Sequence, residues 1–184
     1  MRIVGGKFRS RVLAEFSGNE VRPTSDRAKE ALFNILAFKT QGARVLDLFA
    51  GSGSLGLESI SRGAKEAVFN DVAKDSVAIV KKNLQTLNIP LGAQATVYNY
   101  DYATCLDIVK GKFDMIFIDP PYKLDFGKTA LEKISKNGLL SENGVAVYER
   151  DIPFVGEIDG LEKYDERKYG KAYLTFFRKK TIDR

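Results

Sequence analysis

The sequence predicts an α/β fold: a mostly parallel seven-stranded sheet with helices on both faces, an antiparallel C-terminal hairpin, and a small N-terminal β-hairpin and helix extension. Two observations predict it. From residue 43 onward, near-continuous apolar segments of strand length alternate with segments of helical period. This alternation is typical of a parallel sheet covered on both faces. Near the end of the chain, two strand-like segments follow each other without a helix between them, which indicates antiparallel pairing at a sheet edge.

The elements of the main domain are predicted in order along the chain. The apolar runs predict strands at 43–49, 66–71, 95–100, 113–118 and 144–150. Helices are predicted between them at 55–62, 73–88 and around 128–136. The period is clearest in the second helix, where apolar residues are spaced 3, 4 and 3, at Val77, Val80, Leu84 and Leu87. The terminal hairpin is predicted over 161–170 and 171–179, with its turn around Gly170.

The beginning of the chain has a different pattern. Residues 2–13 are punctuated by glycines and predict a small hairpin. A helix is predicted to begin after Pro23, with Thr24 or Ser25 as its N-cap. We therefore divide the chain into an extension, residues 1–42, and a main domain, residues 43–184.

The composition excludes several kinds of chemistry. The 184 residues include no histidine and one cysteine, Cys105. Without imidazole, a Ser-His-Asp triad, a Cys-His dyad and a zinc site of the usual ligands are excluded, and we expect no metal. The lone cysteine is interpreted as a reduced, apolar filler residue. Because the sequence has neither a transmembrane-length apolar run nor a secretory signal, we expect a cytoplasmic protein that does not bind membranes.

The basic residues are concentrated at the two ends of the chain. Residues 1–40 carry a net charge of +4, residues 161–184 also carry +4, and residues 41–160 carry −3. If the fold brings the two ends together, they form a basic patch suited to phosphate backbones; scattered solubilising charge is the alternative. Lys7, Arg9 and Arg11 are candidate phosphate contacts, and Arg9 and Arg11 are expected on one side of a strand because they lie two residues apart.

A glycine-rich loop follows the first predicted strand. Residues 47–56 read DLFAGSGSLG, which places a G-x-G-x-x-G pattern between a strand and a helix. This pattern allows close approach of the backbone to a ligand at a helix N-terminus. The candidate cofactor contacts in the loop are Phe49, Gly51, Ser52, Gly53 and Gly56. Asp71, at the end of the next strand, is a candidate acceptor for both ribose hydroxyls.

The loop pattern is shared with NAD-binding proteins, so a further residue is needed to choose the cofactor. Asp47 lies at the end of the first strand, four residues before Gly51. A carboxylate there would repel a pyrophosphate but could help to hold an aminoacyl group. This favours S-adenosyl-L-methionine. Asp101, after the third strand, is either an acceptor for the adenine amino group or a solvated acid.

The fourth strand ends in Asp-Pro-Pro-Tyr, at Asp119, Pro120, Pro121 and Tyr122. It should lie beside the glycine loop, at the carboxyl edge of the sheet. An exocyclic base amine is a poor nucleophile because its lone pair is delocalised into the ring. The Asp119 carboxylate and the Pro120 carbonyl could accept its two hydrogens, and Tyr122 could stack on a flipped base. Adenine N6, cytosine N4 and guanine N2 all remain possible at this point.

Together these motifs resemble the amino-methyltransferases that act on exocyclic NH₂ groups of nucleobases. The head of the chain resembles one such family, the bacterial RsmD family. Its pattern R-P-T-x-D-R-x-x-E-x-L-F-N is met by Arg22, Pro23, Thr24, Asp26, Arg27, Glu30, Leu32, Phe33 and Asn34. The resemblance also covers residues 47–64, the Asp-Pro-Pro-Tyr motif and the closing segment 169–179. One departure is Asp71, where many members have glutamate; either carboxylate can bind ribose.

The resemblance implies a Rossmann-like class I methyltransferase that uses S-adenosyl-L-methionine. Its implied substrate is N2 of one guanine in 16S ribosomal RNA, either naked or in a small-subunit assembly particle, and we expect a monomer. Arg22, Thr24 and Arg27 either contact RNA or shape a cofactor lid, or they simply cap and pair within the helix. The rival functions are an adenine-N6 methyltransferase acting on DNA or RNA, a NAD-binding oxidoreductase and a non-catalytic RNA-binding module.

Overall fold

The sheet has seven strands and the predicted mixed topology. The computed structural model describes residues 1–16, 25–121 and 126–181. Its strand order is β3-β2-β1-β4-β5-β7-β6, with β1 to β5 parallel and β7 antiparallel to both β5 and β6. The strands are β1 (Arg44–Asp47), β2 (Glu66–Asn70), β3 (Ala95–Tyr98), β4 (Phe113–Ile118), β5 (Leu140–Arg150), β6 (Leu161–Tyr169) and β7 (Ala172–Lys179). The seven predicted strands are confirmed.

Helices cover both faces of this sheet. They are α1 (Asp26–Ile35), α2 (Ala37–Thr40), α3 (Ser54–Ser61), α4 (Lys74–Thr86), α5 (Tyr102–Ile108) and α6 (Phe126–Lys136). The sequence did not predict α2 and α5, because segments of four and seven residues are too short to show a helical period. Ser25 is the N-cap of α1, as expected, and its hydroxyl accepts a hydrogen bond from the backbone N–H of Ala28 at 3.2 Å.

The central strands contribute alternate side chains to two separate apolar cores, as β4 illustrates. Met115 and Phe117 of β4 belong to the core beneath α1, α3 and α4. Ile116 and Ile118 of the same strand belong to the core beneath α5 and α6. This alternation is the two-residue period of an extended strand buried on both faces. Cys105 lies in the second core, fully buried, as its interpretation as an apolar filler predicted.

The first 16 residues form a reduced version of the predicted small hairpin. One antiparallel bridge joins Arg2 to Val12, Ile3 N–H donates to the Arg11 carbonyl, and Leu13 N–H donates to the Met1 carbonyl. A short 3-10 helix (Gly6–Phe8) lies between the two arms, where the segment approaches α3 closely. A Cβ on Gly6 would lie 1.9 Å from the Ser61 carbonyl oxygen, and Gly6 has φ +75°. The chain therefore turns where a regular hairpin would continue.

No helix in the described part of the chain is both long and apolar enough to cross a membrane. The same residues hold no group of three histidine, cysteine or carboxylate side chains that is arranged to bind a metal ion.

Candidate active site

The predicted site residues meet at the carboxyl edge of the parallel strands. β1 lies between β2 and β4, with Asp47 opposite Phe69 on one side and Phe117 on the other. The chain beyond β1 stays bonded to both neighbours, because Leu48 N–H donates to the Phe117 carbonyl and Ala50 N–H donates to the Asn70 carbonyl. The glycine loop, the turn after β2 and the Asp-Pro-Pro segment after β4 therefore form one surface.

The glycines of the loop have different structural roles. Gly51 and Gly53 adopt left-handed backbone conformations, with φ +55° and +82°. A Cβ on Gly51 would meet nothing within 4 Å, so the backbone there faces open space that a ligand can enter. Gly56 instead packs on β2, since a Cβ would lie 2.3 Å from the Phe69 ring. The loop thus fits a ligand at Gly51 and closes against the sheet at Gly56.

Asp71 holds the glycine loop in place. One carboxylate oxygen accepts the Gly51 N–H at 2.8 Å, and the other accepts the Ala73 N–H at 2.9 Å. Each carboxylate oxygen has two lone pairs, so each retains capacity for a ribose hydroxyl. The predicted role of Asp71 as an acceptor for ribose hydroxyls fits this geometry. Asp71 also supports the glycine loop through its bond to Gly51.

Asp47 lies under the loop, buried, and its carboxylate accepts the Gly56 N–H at 3.0 Å. Burial raises the pKa of Asp47 to about 7; the Gly56 hydrogen bond opposes this shift and the charge of Asp71 adds to it. Asp47 therefore links β1 to the first turn of α3. Its predicted role near an aminoacyl group remains a prediction.

Asp119 lies at the end of β4 in a negatively charged environment. It is half-buried, Pro120 is buried and Pro121 is exposed. Burial raises the pKa of Asp119 well above its usual value, and the charges of Glu149 and Asp47 raise it further. Such a cluster of carboxylates fits a ligand that carries a positive charge, as the sulfonium of S-adenosylmethionine does. Tyr122, predicted to stack on the base, lies outside the described residues.

Asp101 is the N-cap of α5. Its carboxylate accepts from the Thr104 hydroxyl at 2.6 Å and from the Thr104 N–H at 3.0 Å. These two bonds, the hydroxyl first, lower the pKa of Asp101. The exposed carboxylate has a structural role of its own, and its predicted contact with adenine remains a prediction.

Three site residues were not found from the sequence. The buried Asn70 side chain donates to the Leu48 and Tyr100 carbonyls and accepts the Tyr100 N–H, so it joins the loops after β1 and β3. Tyr102 and Phe126 extend an aromatic row from Phe49, with ring centroids 5.6 Å and then 5.0 Å apart. The signal available for Asn70 was a polar residue ending a buried strand; nothing local marked the two rings.

The extension is bonded to the glycine loop, at Ser54, and to α3. Buried Lys29 donates to the Ser54 hydroxyl at 3.0 Å and lies 3.8 Å from the Glu58 carboxylate. Burial lowers the pKa of Lys29 although Glu58 opposes the shift. Glu58 also accepts the N–H groups of Val4 and Gly5.

The glycine loop has a second connection to the extension through Ser52. Asn83 donates to the Ser52 carbonyl at 3.0 Å and to the Ala14 carbonyl at 3.1 Å. The Ser52 hydroxyl lies 3.9 Å from the Met1 sulfur. Ser52 is therefore tied to the extension, and its predicted contact with the cofactor stays a prediction.

The predicted RNA contacts of the extension are exposed where the structure describes them. Lys7, Arg9, Arg11 and Arg27 are exposed, whereas Arg22 and Thr24 lie outside the described residues. The strand argument for Arg9 and Arg11 was wrong, because the chain turns at Ser10, with φ +69°. Arg11 donates to the Thr86 carbonyl. The role of all six residues in RNA binding remains a prediction.

Comparison with known proteins supports the resemblance. The model of a family described as "Conserved hypothetical protein 95" matches residues 1–178. The chain belongs to this family. "Putative rRNA methyltransferase YlbH" of Bacillus subtilis is 35% identical in a match of length 185 that covers 98% of this chain and 100% of that protein. Ribosomal RNA small subunit methyltransferase D of Haemophilus influenzae is 38% identical over 162 residues, 84% of this chain and 82% of that protein.

The fold is also shared with solved structures. The Escherichia coli protein described as "Putative methyltransferase yhhF" superimposes with a TM-score of 0.85 at 31% identity, and the match covers 97% of both chains. Together with the mixed seven-stranded sheet, this confirms the predicted Rossmann-like class I methyltransferase fold.

Proposed function

We propose that this protein transfers a methyl group from S-adenosylmethionine to the exocyclic N2 of a guanine in 16S ribosomal RNA. The coarser statement, that it is an S-adenosylmethionine-dependent methyltransferase of ribosomal RNA, rests on its family and on the relatives named above. The choice of guanine N2 rests on the resemblance of residues 22–34 to the RsmD pattern. We further propose a monomer that works in the cytoplasm.

The observation that carries the proposal is the position of Asp119. The strand that ends at Asp119 is the direct neighbour of the strand that leads into the glycine loop, and Leu48 N–H donates to Phe117 between them. A ligand held against Gly51 and Asp71 therefore lies on the same edge as the Asp-Pro-Pro segment. This juxtaposition is what a transfer between a bound cofactor and a bound amine requires.

The residues of the chain then have separate tasks. S-adenosylmethionine supplies a methyl group on a positively charged sulfur. Asp71 and the backbone at Gly51 would bind the cofactor. The Asp119 carboxylate and the Pro120 carbonyl would accept the two amine hydrogens and aim the nitrogen lone pair. The nitrogen carries a positive charge after transfer and is then a strong acid, so the Asp119 carboxylate beside it would take up the proton that the amine loses.

The experiment is a transfer assay with radiolabelled S-adenosylmethionine. The acceptors are small-subunit particles, naked 16S ribosomal RNA and duplex DNA, and the product nucleotide is mapped by mass spectrometry. We expect label in ribosomal RNA on one N2-methylguanine, and the relative rates on particle and naked RNA identify the substrate form. Label confined to DNA, or N6-methyladenine as the product, would contradict the proposal.

The oxidoreductase alternative is tested without turnover. We expect calorimetry to detect binding of S-adenosylhomocysteine and no binding of NAD. Tight binding of NAD alone would exclude the methyltransferase function. Asp47 beneath the loop is the reason for this expectation, since a second carboxylate near Gly51 disfavours a pyrophosphate.

A further inference from the structure

The last two strands of the sheet, β7 and β6, bring basic residues to the same edge as Asp119. Because β7 runs antiparallel to β5, the turn between β6 and β7 lies at the carboxyl edge of the parallel strands. Arg150, the last residue of β5, is opposite Tyr173 of β7, and Tyr173 is opposite Lys168 of β6. Opposite residues share a face, so these three side chains form one row across three strands. Lys171 lies in the adjoining turn, and we count it as part of this row.

The row lies on the α6 side of the sheet, next to the Asp-Pro-Pro segment. Tyr148 is two residues before Arg150, so both point to the same face, and Tyr148 belongs to the core beneath α6. The first turn of α6 packs directly on Tyr148, since a Cβ on Gly127 would lie 2.0 Å from its ring. Tyr148 is also opposite Ile118, the residue before Asp119. The row therefore begins on β5, the strand next to β4, at the same edge of the sheet as the Asp-Pro-Pro segment.

The cations of the row are held in position and are available. The Arg150 guanidinium lies 5.3 Å from the Tyr148 ring centroid and 5.9 Å from that of Phe154. The Lys168 ammonium lies 5.1 Å from the Tyr173 ring centroid. Lys168 and Lys171 are exposed and Arg150 is half-buried. Among the described residues, none of the three cations forms an ion pair with a carboxylate.

The electrostatics of the site explain why such a row is needed. Three acidic side chains, Asp119, Asp47 and Glu149, interact with one another at the amine site. Acidic side chains offer a phosphate group no favourable contact, so a nucleic acid that presents a base to Asp119 needs cations nearby to bind its phosphates. Arg150, Lys168 and Lys171 are cations of that kind at this edge, and two of them are already oriented by aromatic rings.

We propose that Arg150, Lys168 and Lys171 bind the phosphates next to the target nucleotide, and that Tyr173 positions Lys168 for this contact. The proposal rests on the proposed function, because the ligand it names is the RNA backbone that flanks the methylated base. It assigns the orientation of the RNA: the strand leaves the site across β5, β7 and β6. Arginine and lysine side chains at such positions fix the register of a nucleic acid without reading its sequence.

The test compares two triple variants. One is Arg150→Gln, Lys168→Gln and Lys171→Gln. The matched control is Lys65→Gln, Lys110→Gln and Lys112→Gln, which removes three exposed charges just before β2 and β4, at the opposite edge of the sheet. Binding of a fluorescent small-subunit RNA fragment is titrated at several salt concentrations, and methyl transfer, S-adenosylhomocysteine affinity and thermal unfolding are measured on the same proteins.

We expect the row variant to lose RNA affinity and to flatten the salt dependence, with the slope of log K against log salt reduced by about 2 for three single-strand phosphate contacts. Its KM for RNA should rise, while its affinity for S-adenosylhomocysteine and its melting temperature should equal those of the control variant. Tyr173→Phe should bind RNA like the wild type. Tyr173→Thr should lose part of the RNA affinity that Lys168 contributes.

The proposal is overturned if the row variant and the control have the same salt slope. It is also overturned if the row variant binds naked RNA normally and fails only on protein-containing particles, because the row would then dock a protein. A wild-type chain that binds no small-subunit RNA excludes it as well. If the row contributes to RNA binding but no methyl reaches ribosomal RNA, the proposed function fails and the RNA contact stands.

Discussion

Asp71 follows β2 and Asp119 follows β4, and only β1 lies between these two strands. The two carboxylates nevertheless have different surroundings. The carboxylate of Asp71 accepts two backbone N–H groups, from Gly51 and Ala73, and so fixes the loop that the cofactor would bind. Asp119 is instead half-buried near Glu149 and Asp47, which raises its pKa well above the usual value. One carboxylate is held by backbone N–H groups of its own chain, and the other is left for a ligand to bind.

Under the proposed function, this difference assigns cofactor binding to Asp71 and methyl transfer to Asp119. A carboxylate that the backbone already satisfies can support a site without changing during the reaction. A carboxylate whose ionised form is unfavourable in the free protein gains most when a cation and two N–H donors arrive. The comparison predicts that substitutions at the two positions affect different measurements.

The largest effect is expected for Asp119→Ala. Removal of a placed acceptor in a buried site should lower kcat for methyl transfer by about 100-fold or more. The affinity for S-adenosylhomocysteine should change by less than about fivefold, or about 1 kcal/mol. The neutral product is the correct probe, since Asp119→Ala also removes a negative charge that would attract a sulfonium. Transfer rates and calorimetry check both expectations.

Asp159→Asn is the control for Asp119, because Asp159 is an exposed acid in the loop before β6, distant in sequence from every predicted site residue. It should leave transfer unchanged. A chain with Asp119→Ala that retains full transfer would remove this residue from the chemistry and would favour the non-catalytic RNA-binding alternative.

The opposite pattern is expected for Asp71→Ala. It removes a charged acceptor from two backbone N–H groups and from the proposed ribose contact, so cofactor affinity should fall by roughly 10- to 100-fold, as for the loss of hydrogen bonds to a charged group. Transfer at saturating cofactor should recover most of the wild-type rate. Asp71→Glu, which keeps the carboxylate, should bind the cofactor better than Asp71→Ala. Unchanged affinity in Asp71→Ala would refute the division of roles.

The strands and the site motifs were predictable because their signals are local. β4 matched its prediction residue for residue, and Asp47, Asp71 and Asp119 each follow a short apolar run, so the edge they share follows from the topology. The attachment of the extension was not predictable. Val4 bonds to Glu58 and Ala14 bonds to Asn83, across 54 and 69 residues, and no local pattern marks such pairs.

Burial of charge was the other feature that the sequence did not reveal. Lys29 and Glu58 are both fully buried and lie on facing helices, although each reads as a surface residue of an amphipathic helix. The Asp-Pro-Pro-Tyr motif likewise did not predict that the pKa of Asp119 is raised. That shift depends first on burial and then on Glu149, which lies 30 residues later and is brought alongside by the pairing of β4 with β5.

Asp47 provides a third test, on stability. Its pKa is raised to about 7 by burial, so the folded protein binds a proton that the unfolded chain has already released above pH 4. Stability from this group is therefore present at low pH and is lost as the pH rises from about 4 to 7, by up to about 1.4 kcal/mol per pH unit. Urea unfolding of wild type and Asp47→Asn between pH 5 and pH 8 measures the difference.

The expected result is that the difference in unfolding free energy between wild type and Asp47→Asn changes with pH between pH 5 and about 7. Asp119 contributes a slope of the same sign in both proteins, and this slope is weaker in Asp47→Asn because the charge of Asp47 is one of the causes that raise the pKa of Asp119. Both effects therefore change the difference in the same direction. Asp75→Asn, an exposed acid in the first turn of α4, should give curves parallel to the wild type. Parallel curves for Asp47→Asn would contradict the raised pKa.

The smallest effect is expected at Asp101, and it decides between the two interpretations of that residue. Asparagine is as good an N-cap as aspartate, so Asp101→Asn should leave stability almost unchanged, whereas Asp101→Ala should cost about 1 kcal/mol through loss of the bonds to Thr104. If the carboxylate only caps α5, Asp101→Asn should bind S-adenosylhomocysteine like the wild type. If it also accepts from the adenine amino group, Asp101→Asn should weaken adenosyl binding and favour ligands with a carbonyl in place of that amine. Calorimetry with S-adenosylhomocysteine and its deaminated inosyl analogue distinguishes the two, because only an adenine contact makes the preference depend on residue 101.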